Sequence, residues 1–378
     1  MLKFVKDNKL LLGLCIAVLI LLIIVSSIVI SYVKHNQKVG KVAVEETYKD
    51  KDGQDTEMMH PDYIPEIDEP FDGTKDSYTV SDLVLGEPKT YKKSTNAGSG
   101  AVLMGGARGA ALIKAYGGEL YLYNLNTEKT FRIDRFTSYG NVDDNKKYVF
   151  YSKYSNPITK EKEKQILLIL PTATNERTNV GELEAGYTII NSAYYNGLFF
   201  YAASDVSGTK FTSGIVRADK DINNAIVTKY QTLLSKYNFT MFKSFGDKIY
   251  GYDKNSNSIY DVTSGVAVKK STVPTQYLLD FAVSNNNVFL YYTDLKNVYY
   301  SLNNQIKNNF DGAYSPIWLD ENQLLLLVDS NLHIYNVKED KLIPVLYGVS
   351  NFYTAKDKIY LQDGTETTNI KAIDILNR

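Results

Sequence analysis

Residues able to carry chemistry are few and scattered. The 378-residue chain has three histidines, His35, His60 and His333, and one cysteine, Cys15, which lies inside an unbroken apolar run. A zinc site built on His or Cys needs several converging donors, and a nucleophilic triad needs a base beside its Ser or Cys. A lone His333 in a strand-like stretch assembles neither and reads as a packed or surface residue. Carboxylates are more numerous, and glycoside hydrolysis needs only two placed acids. Here, however, Asp143-Asp144, Asp247, Asp320-Glu321 and Asp357 fall where the chain turns, and Asp favours such positions because it hydrogen-bonds its own backbone. The arginines Arg108, Arg132, Arg135, Arg177, Arg217 and Arg378 follow no motif that would group three on an anionic substrate. Asp50-Lys-Asp-Gly-Gln-Asp55 puts its Gly at the fourth position of a would-be calcium loop instead of the sixth. The stretch Gly98 to Gly109 meets neither the Walker A nor the dinucleotide pattern, and no helical pattern follows it. The expectation is therefore a non-enzyme with no catalytic, metal or cofactor site, whose binding residues the sequence does not name.

Composition points the same way. Thirty-one Tyr, nine Pro and one Trp suit many short strands joined by polar turns, because aromatic rings pack well on half-buried pleated surfaces. A formal net charge of -1 lacks the basic balance of a nucleic-acid binder, so no nucleic acid is expected as partner. Cys15 is the only thiol, so no disulfide forms within the chain and stability must come from a large core. Excess Lys, Asn and Tyr in a Cys-free body leans toward an exported domain of a low-GC Gram-positive bacterium.

The elements that would position such a body begin at the N-terminus. Leu10 to Val33 is free of charge, and its 24 residues would span roughly 36 Å as a helix, enough for a bilayer core. Its length exceeds the apolar core of a cleaved signal peptide, and no small-residue cleavage site follows. Cys15 follows Leu14 and precedes more apolar sequence, which is the wrong context for a lipobox; it reads as an intramembrane thiol. Lys3, Lys6 and Lys9 are balanced by Lys34, Lys38 and Lys41, so the flanking charges discriminate orientation weakly. The large body and the nine-residue stub favour residues 1–9 in the cytoplasm, a single pass at 10–33 and everything after it outside.

Residues 34–76 read as a disordered acidic tether. From Glu45 to Asp76 there are twelve acids against three lysines, with Pro61, Pro65 and Pro70 among them and no sustained periodicity. Such a coil reaches roughly 35–40 Å, which holds the body near the outer membrane face. Met58 to Pro65 is its most apolar portion and is read as packing on its own domain, with partner docking as the sharper reading.

From about residue 100 a unit recurs: a short strand, a tight polar turn, a second apolar strand, another turn and a third strand. The first hairpin is clearest at Ser244-Phe-Gly-Asp-Lys-Ile-Tyr250, Val283 to Leu290, Leu319 to Leu326 and Thr354 to Leu361, and looser at Tyr194 to Tyr201 and Val142 to Tyr151. Each puts Asn, Asp or Gly where a hairpin needs positive φ or a local side-chain hydrogen bond. Third strands begin at Leu120, Ile166, Ile215, Ile259, Val298, Leu332 and Ile370, a spacing close to one four-stranded propeller blade. The count predicts an all-β, seven-bladed β-propeller over 77–378, with six or eight blades as the neighbouring counts. Too few residues remain after Asn351 for a fourth strand. The strand expected at Ser77 to Leu85 would complete that last blade and hide its edge.

In these repeats, and in the Tyr-rich run Leu290-Tyr-Tyr-Thr-Asp-Leu-Lys-Asn-Val-Tyr-Tyr-Ser301, the chain resembles bacterial membrane-anchored extracytoplasmic β-propeller proteins. It has no Trp-Asp dipeptide, no kelch-like recurrence of Gly-Gly and no Asp-box, so no subfamily follows. What the resemblance implies is a protein-protein interaction platform in the cell envelope, serving division, wall synthesis, secretion or sporulation machinery. A module that binds wall glycan or teichoic polymer is the alternative, and a carboxylate-dependent glycan hydrolase comes third.

Overall fold

The computed structural model describes residues 85, 88–92, 101–115, 117–155, 164–275, 277–308, 310–363 and 369–376. The stub expected in the cytoplasm, the apolar run from Leu10 to Val33, the expected tether and all but Leu85 of the strand expected at 77–85 lie outside them, as do Cys15, His35 and His60. No helix among the described residues is long and apolar enough to cross a membrane.

The chain enters with β1 (Lys89–Lys92) and then winds seven antiparallel sheets. Blade 1 holds β2 (Val102–Ala107), β3 (Ala110–Lys114), β4 (Leu120–Asn124) and β5 (Lys129–Asp134); blade 2 holds β6 (Thr137–Val142), β7 (Tyr148–Tyr154), β8 (Gln165–Pro171) and β9 (Thr178–Leu183). Blade 3 has β10 (Tyr187–Tyr195), β11 (Leu198–Asp205) and β12 (Phe211–Arg217), followed by the helix α1 (Asn224–Leu234). Blade 4 comprises β13 (Phe239–Phe245), β14 (Lys248–Asp253), β15 (Ser258–Asp261) and β16 (Val268–Thr272), and blade 5 comprises β17 (Tyr277–Val283), β18 (Val288–Thr293), β19 (Val298–Leu302) and β20 (Gln305–Ile306). Blade 6 is built from β21 (Ala313–Trp318), β22 (Gln323–Val328), β23 (Asn331–Asn336) and β24 (Lys341–Leu346), and blade 7 from β25 (Val349–Thr354), β26 (Lys358–Asp363) and β27 (Asn369–Asp374).

First strands line the axis. β2 lies against β6, β6 against β10, β10 against β13, β13 against β17 and β17 against β21, while β25 meets blade 6 on one side and β2 on the other. The chain is thus a seven-bladed β-propeller, and all seven third strands start within four residues of the positions read from the sequence.

The packing explains why the second strands are nearly continuous apolar runs. Each blade is covered on both faces, so both side-chain parities are buried, as in Leu324–Leu327 of β22, where all four leucines are fully enclosed. Seven apolar clusters each join two neighbouring blades. Fully burying one such Leu contributes roughly 2 kcal/mol. The turns follow the expected chemistry. In the β10–β11 hairpin, Asn196 and Gly197 have φ of 43° and 78°, a pair that Asn-Gly supplies at low cost and that matches the twist of the flanking strands.

Ring closure corrects one boundary. The strand that completes blade 7 is β1, pairing antiparallel with β27 from Lys89 opposite Ala372 to Lys92 opposite Asn369. Of the expected strand at 77–85, only Leu85 is described, as an isolated bridge to Ile375. The later register wins because it lets Tyr91 join the core between blades 7 and 1 and puts Lys89 2.7 Å from Asp374. The same seam needs Gly106, where an added Cβ would lie 2.2 Å from the Tyr360 ring.

Blade 3 departs from the four-strand expectation. It has three strands among the described residues, and α1 follows where the fourth would come. Asn223 caps this helix by accepting the Ala225 N–H at 2.8 Å, and Tyr230, Leu233 and Leu234 bury against blades 3 and 4.

Candidate functional site: the central channel

The innermost strand of every blade breaks register once, between Leu103 and Gly105, Thr137 and Tyr139, Ile189 and Asn191, Phe239 and Met241, Leu278 and Asp280, Tyr314 and Ile317, and Val349 and Asn351. A bulge bends its strand and re-aims the side chains beside it. Repeated around the ring, it leaves a cavity of about 360 Å³ on the axis, walled by residues of all seven first strands.

Polar side chains on this wall mostly secure the backbone. Asn141 accepts the Val142 N–H at 2.8 Å and donates from Nδ2 to the Oγ and carbonyl of Ser192 in the next blade, at 2.8 and 3.2 Å. The Tyr139 hydroxyl shares Ser192 Oγ at 2.9 Å. Asn351 and Asp280 each accept the N–H of the residue that follows, Phe352 at 2.9 Å and Phe281 at 2.8 Å. Asn191 reaches across to blade 4, where its Oδ1 accepts the Phe242 N–H at 2.6 Å. Lys243 of blade 4 pairs with Asp280 of blade 5, its Nζ 3.0 Å from Oδ1. Withdrawal from solvent pushes the phenols of Tyr139 and Tyr353 above their ordinary range, so both line the cavity as neutral hydroxyls.

The residues weighed for chemistry in the sequence do not converge here. His333 lies on β23 with Nδ1 3.0 Å from the Asn331 carbonyl. Arg132 and Arg135 approach Glu119 at 3.7 and 3.5 Å, while Arg177 donates to the Ile133 carbonyl at 2.7 Å and so ties blade 2 to blade 1. Two of the turn acids, Asp143 and Asp320, serve their turns. Asp143 accepts the Tyr148 and Asn145 N–H groups at 2.6 and 3.1 Å, and burial raises its carboxyl to about 6. Asp320 accepts the Asn322 and Gln323 N–H groups at 2.6 and 2.8 Å. Glu321 instead bridges blades 5 and 6, taking the Ser284 hydroxyl at 2.7 Å and the Asn285 and Asn286 N–H groups at 3.0 and 3.1 Å. Among the described residues no group of three or more His, Cys, Asp or Glu could hold a metal ion.

Sequence reasoning did not find the channel residues Asn191, Lys243 and Asp280. They come from three first strands, and only the bulges, which leave no clear mark in sequence, bring them onto one wall.

A second feature lies where β18 turns into β19. Tyr277, Thr293 and Val298 stand in one cross-strand row, and Leu295 tops the turn with φ of 76°. Asp294 Oδ1 accepts the Lys296 and Asn297 N–H groups at 2.9 and 2.7 Å, and its Oδ2 accepts the Tyr299 hydroxyl at 2.9 Å. These bonds hold the carboxyl below its ordinary range, the Asn297 and Lys296 N–H groups most of all. Leu295 is 73% exposed, Val298 47% and Tyr277 46%.

No protein-family model matches the chain, and no curated protein sequence does. Solved structures are similar to it in architecture. BamB of Moraxella catarrhalis is 11% identical, over 72% of this chain and 85% of that one, with a TM-score of 0.42. An uncharacterised protein of Listeria monocytogenes is 14% identical over 68% and 87%, with a TM-score of 0.42. PorZ, described as a bacterial surface component of the type-IX secretion system of Porphyromonas gingivalis, is 10% identical over 74% of this chain and 38% of that one, with a TM-score of 0.45.

Proposed function

We propose that this chain is a non-enzymatic docking platform of the bacterial cell envelope, anchored by Leu10 to Val33 with its propeller outside the membrane and engaging a protein of the division, wall-synthesis, secretion or sporulation machinery. The observation that carries the reading is the turn of blade 5. A left-handed backbone costs a non-glycine residue roughly 1–2 kcal/mol, and a large exposed aliphatic side chain gains nothing from water. At Leu295 both occur together, in a turn that Asp294, Thr293 and Asn297 fix through hydrogen bonds of 2.7 to 3.0 Å. Tyr277 and Val298 flank it, so the apolar surface is already ordered before contact, which lowers the entropic cost of docking. The partner is a protein with an apolar socket for Leu295.

A photo-crosslinking residue at position 295, introduced into the full chain in intact cells, tests this. Capture of one protein at 295 and not at the exposed Lys341 on blade 6 is the expected result. Capture of glycan only, or equal capture at both positions, sinks the reading.

A further inference from the structure

We infer that the central channel is a binding site for a neutral, hydroxyl-rich ligand of the size of a sugar ring, held by Asn191, Lys243 and Asp280 from three consecutive blades. This stands apart from the blade 5 reading, since it uses a different surface and a different class of ligand.

The first argument is unspent hydrogen-bonding capacity at fixed positions. Asn191 Oδ1 is anchored by the Phe242 N–H at 2.6 Å, which fixes the plane of the amide and leaves its two Nδ2 protons without an acceptor among the described residues. Among the described residues Lys243 spends its ammonium on Asp280 alone, at 3.0 Å to Oδ1 and 3.3 Å to Oδ2, so further protons remain. Asp280 keeps lone pairs beyond those taken by Lys243 and the Phe281 N–H. On the neighbouring blade 6, Ser315 carries a hydroxyl without a protein partner among the described residues, in a bulge where its φ is 54°. Donors and acceptors mixed at this density match a ligand whose groups both give and take hydrogen bonds, as sugar hydroxyls do.

Charge decides against the alternatives. Lys243 is the only cation among the described residues of the wall, and Asp280 neutralises it at contact distance. A phosphate or carboxylate ligand would have to draw Lys243 away from Asp280, and a cation would have to displace Lys243 from that same partner. A neutral polyol incurs neither cost. The volume of about 360 Å³ falls at the small end of the range for small-molecule sites, and Tyr139 and Tyr353 add aromatic surface to its lining.

The test is calorimetric titration of the full chain with three probes: cellotetraose, chitotetraose and, as an anionic control, poly(glycerol phosphate). The Asn191→Asp variant keeps the oxygen that takes the Phe242 N–H and turns the outward donor into an acceptor, so the fold is kept, as an unchanged melting curve would verify. Binding of at least one neutral oligosaccharide, weakened tenfold or more by Asn191→Asp and by Lys243→Met but unchanged by Leu295→Ala, is the expected result. The inference is overturned if neither neutral probe binds, if only the polyanion binds, or if Asn191→Asp binds as well as the parent. Loss through Leu295→Ala alone would move the ligand to the blade 5 turn and overturn it too.

Discussion

Blades 7 and 3 solve the same problem in opposite ways. Each lacks a fourth strand supplied by its own stretch of chain. Blade 7 takes one from far away in sequence: β1 pairs with β27 residue by residue, and Asp374 gathers the ammonium groups of Lys89 and Lys358. Blade 3 takes none among the described residues. Helix α1 instead buries Tyr230, Leu233 and Leu234 beside it, and Arg217 at the end of β12 bonds the start of the helix through the Asn224 side chain at 2.7 Å. A strand satisfies backbone groups in one register only, whereas a helix satisfies its own backbone and brings only an apolar stripe. The first solution closes the ring specifically; the second covers a blade without specifying a register.

Removing the borrowed strand should separate the two most sharply. A chain beginning at Ser94 lacks β1 and Leu85 and leaves β27 as a bare edge. At about 1 kcal/mol net per backbone hydrogen bond, with Tyr91 burial added, the loss is roughly 4 kcal/mol, and the bared edge invites self-association. Denaturant unfolding and light scattering would read both effects. Stability equal to that of the parent would mean that β1 does not hold the ring closed. At blade 3 the corresponding cut is Leu233→Ala. A buried Leu-to-Ala change costs about 3 kcal/mol, but it exposes no strand edge. The melt should therefore shift without aggregation, and an unshifted midpoint would mean that α1 is ornamental to blade 3.

The two blades also differ in how legible they were. Hairpin turns announce themselves through Asn, Asp and Gly, so the third strands and the blade count could be read from Leu120, Ile166 and their successors. The borrowed strand was placed too early because Ser77 to Leu85 alternates more cleanly than Lys89-Thr-Tyr-Lys92, and what selects the latter is the distant partner at Asp374. Helix α1 was missed because Ile226, Val227, Thr228 and Tyr230 favour strands, although Val227, Tyr230 and Leu234 keep helical spacing; burial overrides that local preference. The channel was not legible at all, since Asn191, Lys243 and Asp280 become neighbours only once the ring exists. The turn acids could be read because a turn Asp acts on residues two to five positions away, as Asp143 does.

The smallest effect tests the chemistry of closure itself. Partial burial alone would raise Asp374, but the ammonium groups of Lys358 and Lys89 more than offset it and hold the carboxyl below its ordinary value. A carboxylate depressed in the folded state stabilises fully above the unfolded value near 4, and that stability is lost as pH falls through the lower folded value. Blade 7 closure should therefore weaken on acidification below about pH 4, while helix α1, which covers blade 3, carries no carboxylate to titrate. Hydrogen exchange corrected for intrinsic rates, compared at pH 3 and pH 6, should show protection falling at Lys89–Lys92 and holding at Tyr230 to Leu234. Asp374→Asn should flatten the difference, because the amide neither titrates nor attracts the two lysines. Equal loss at both blades would mean that acid acts on the ring as a whole, and would take from Asp374 its role as the clasp.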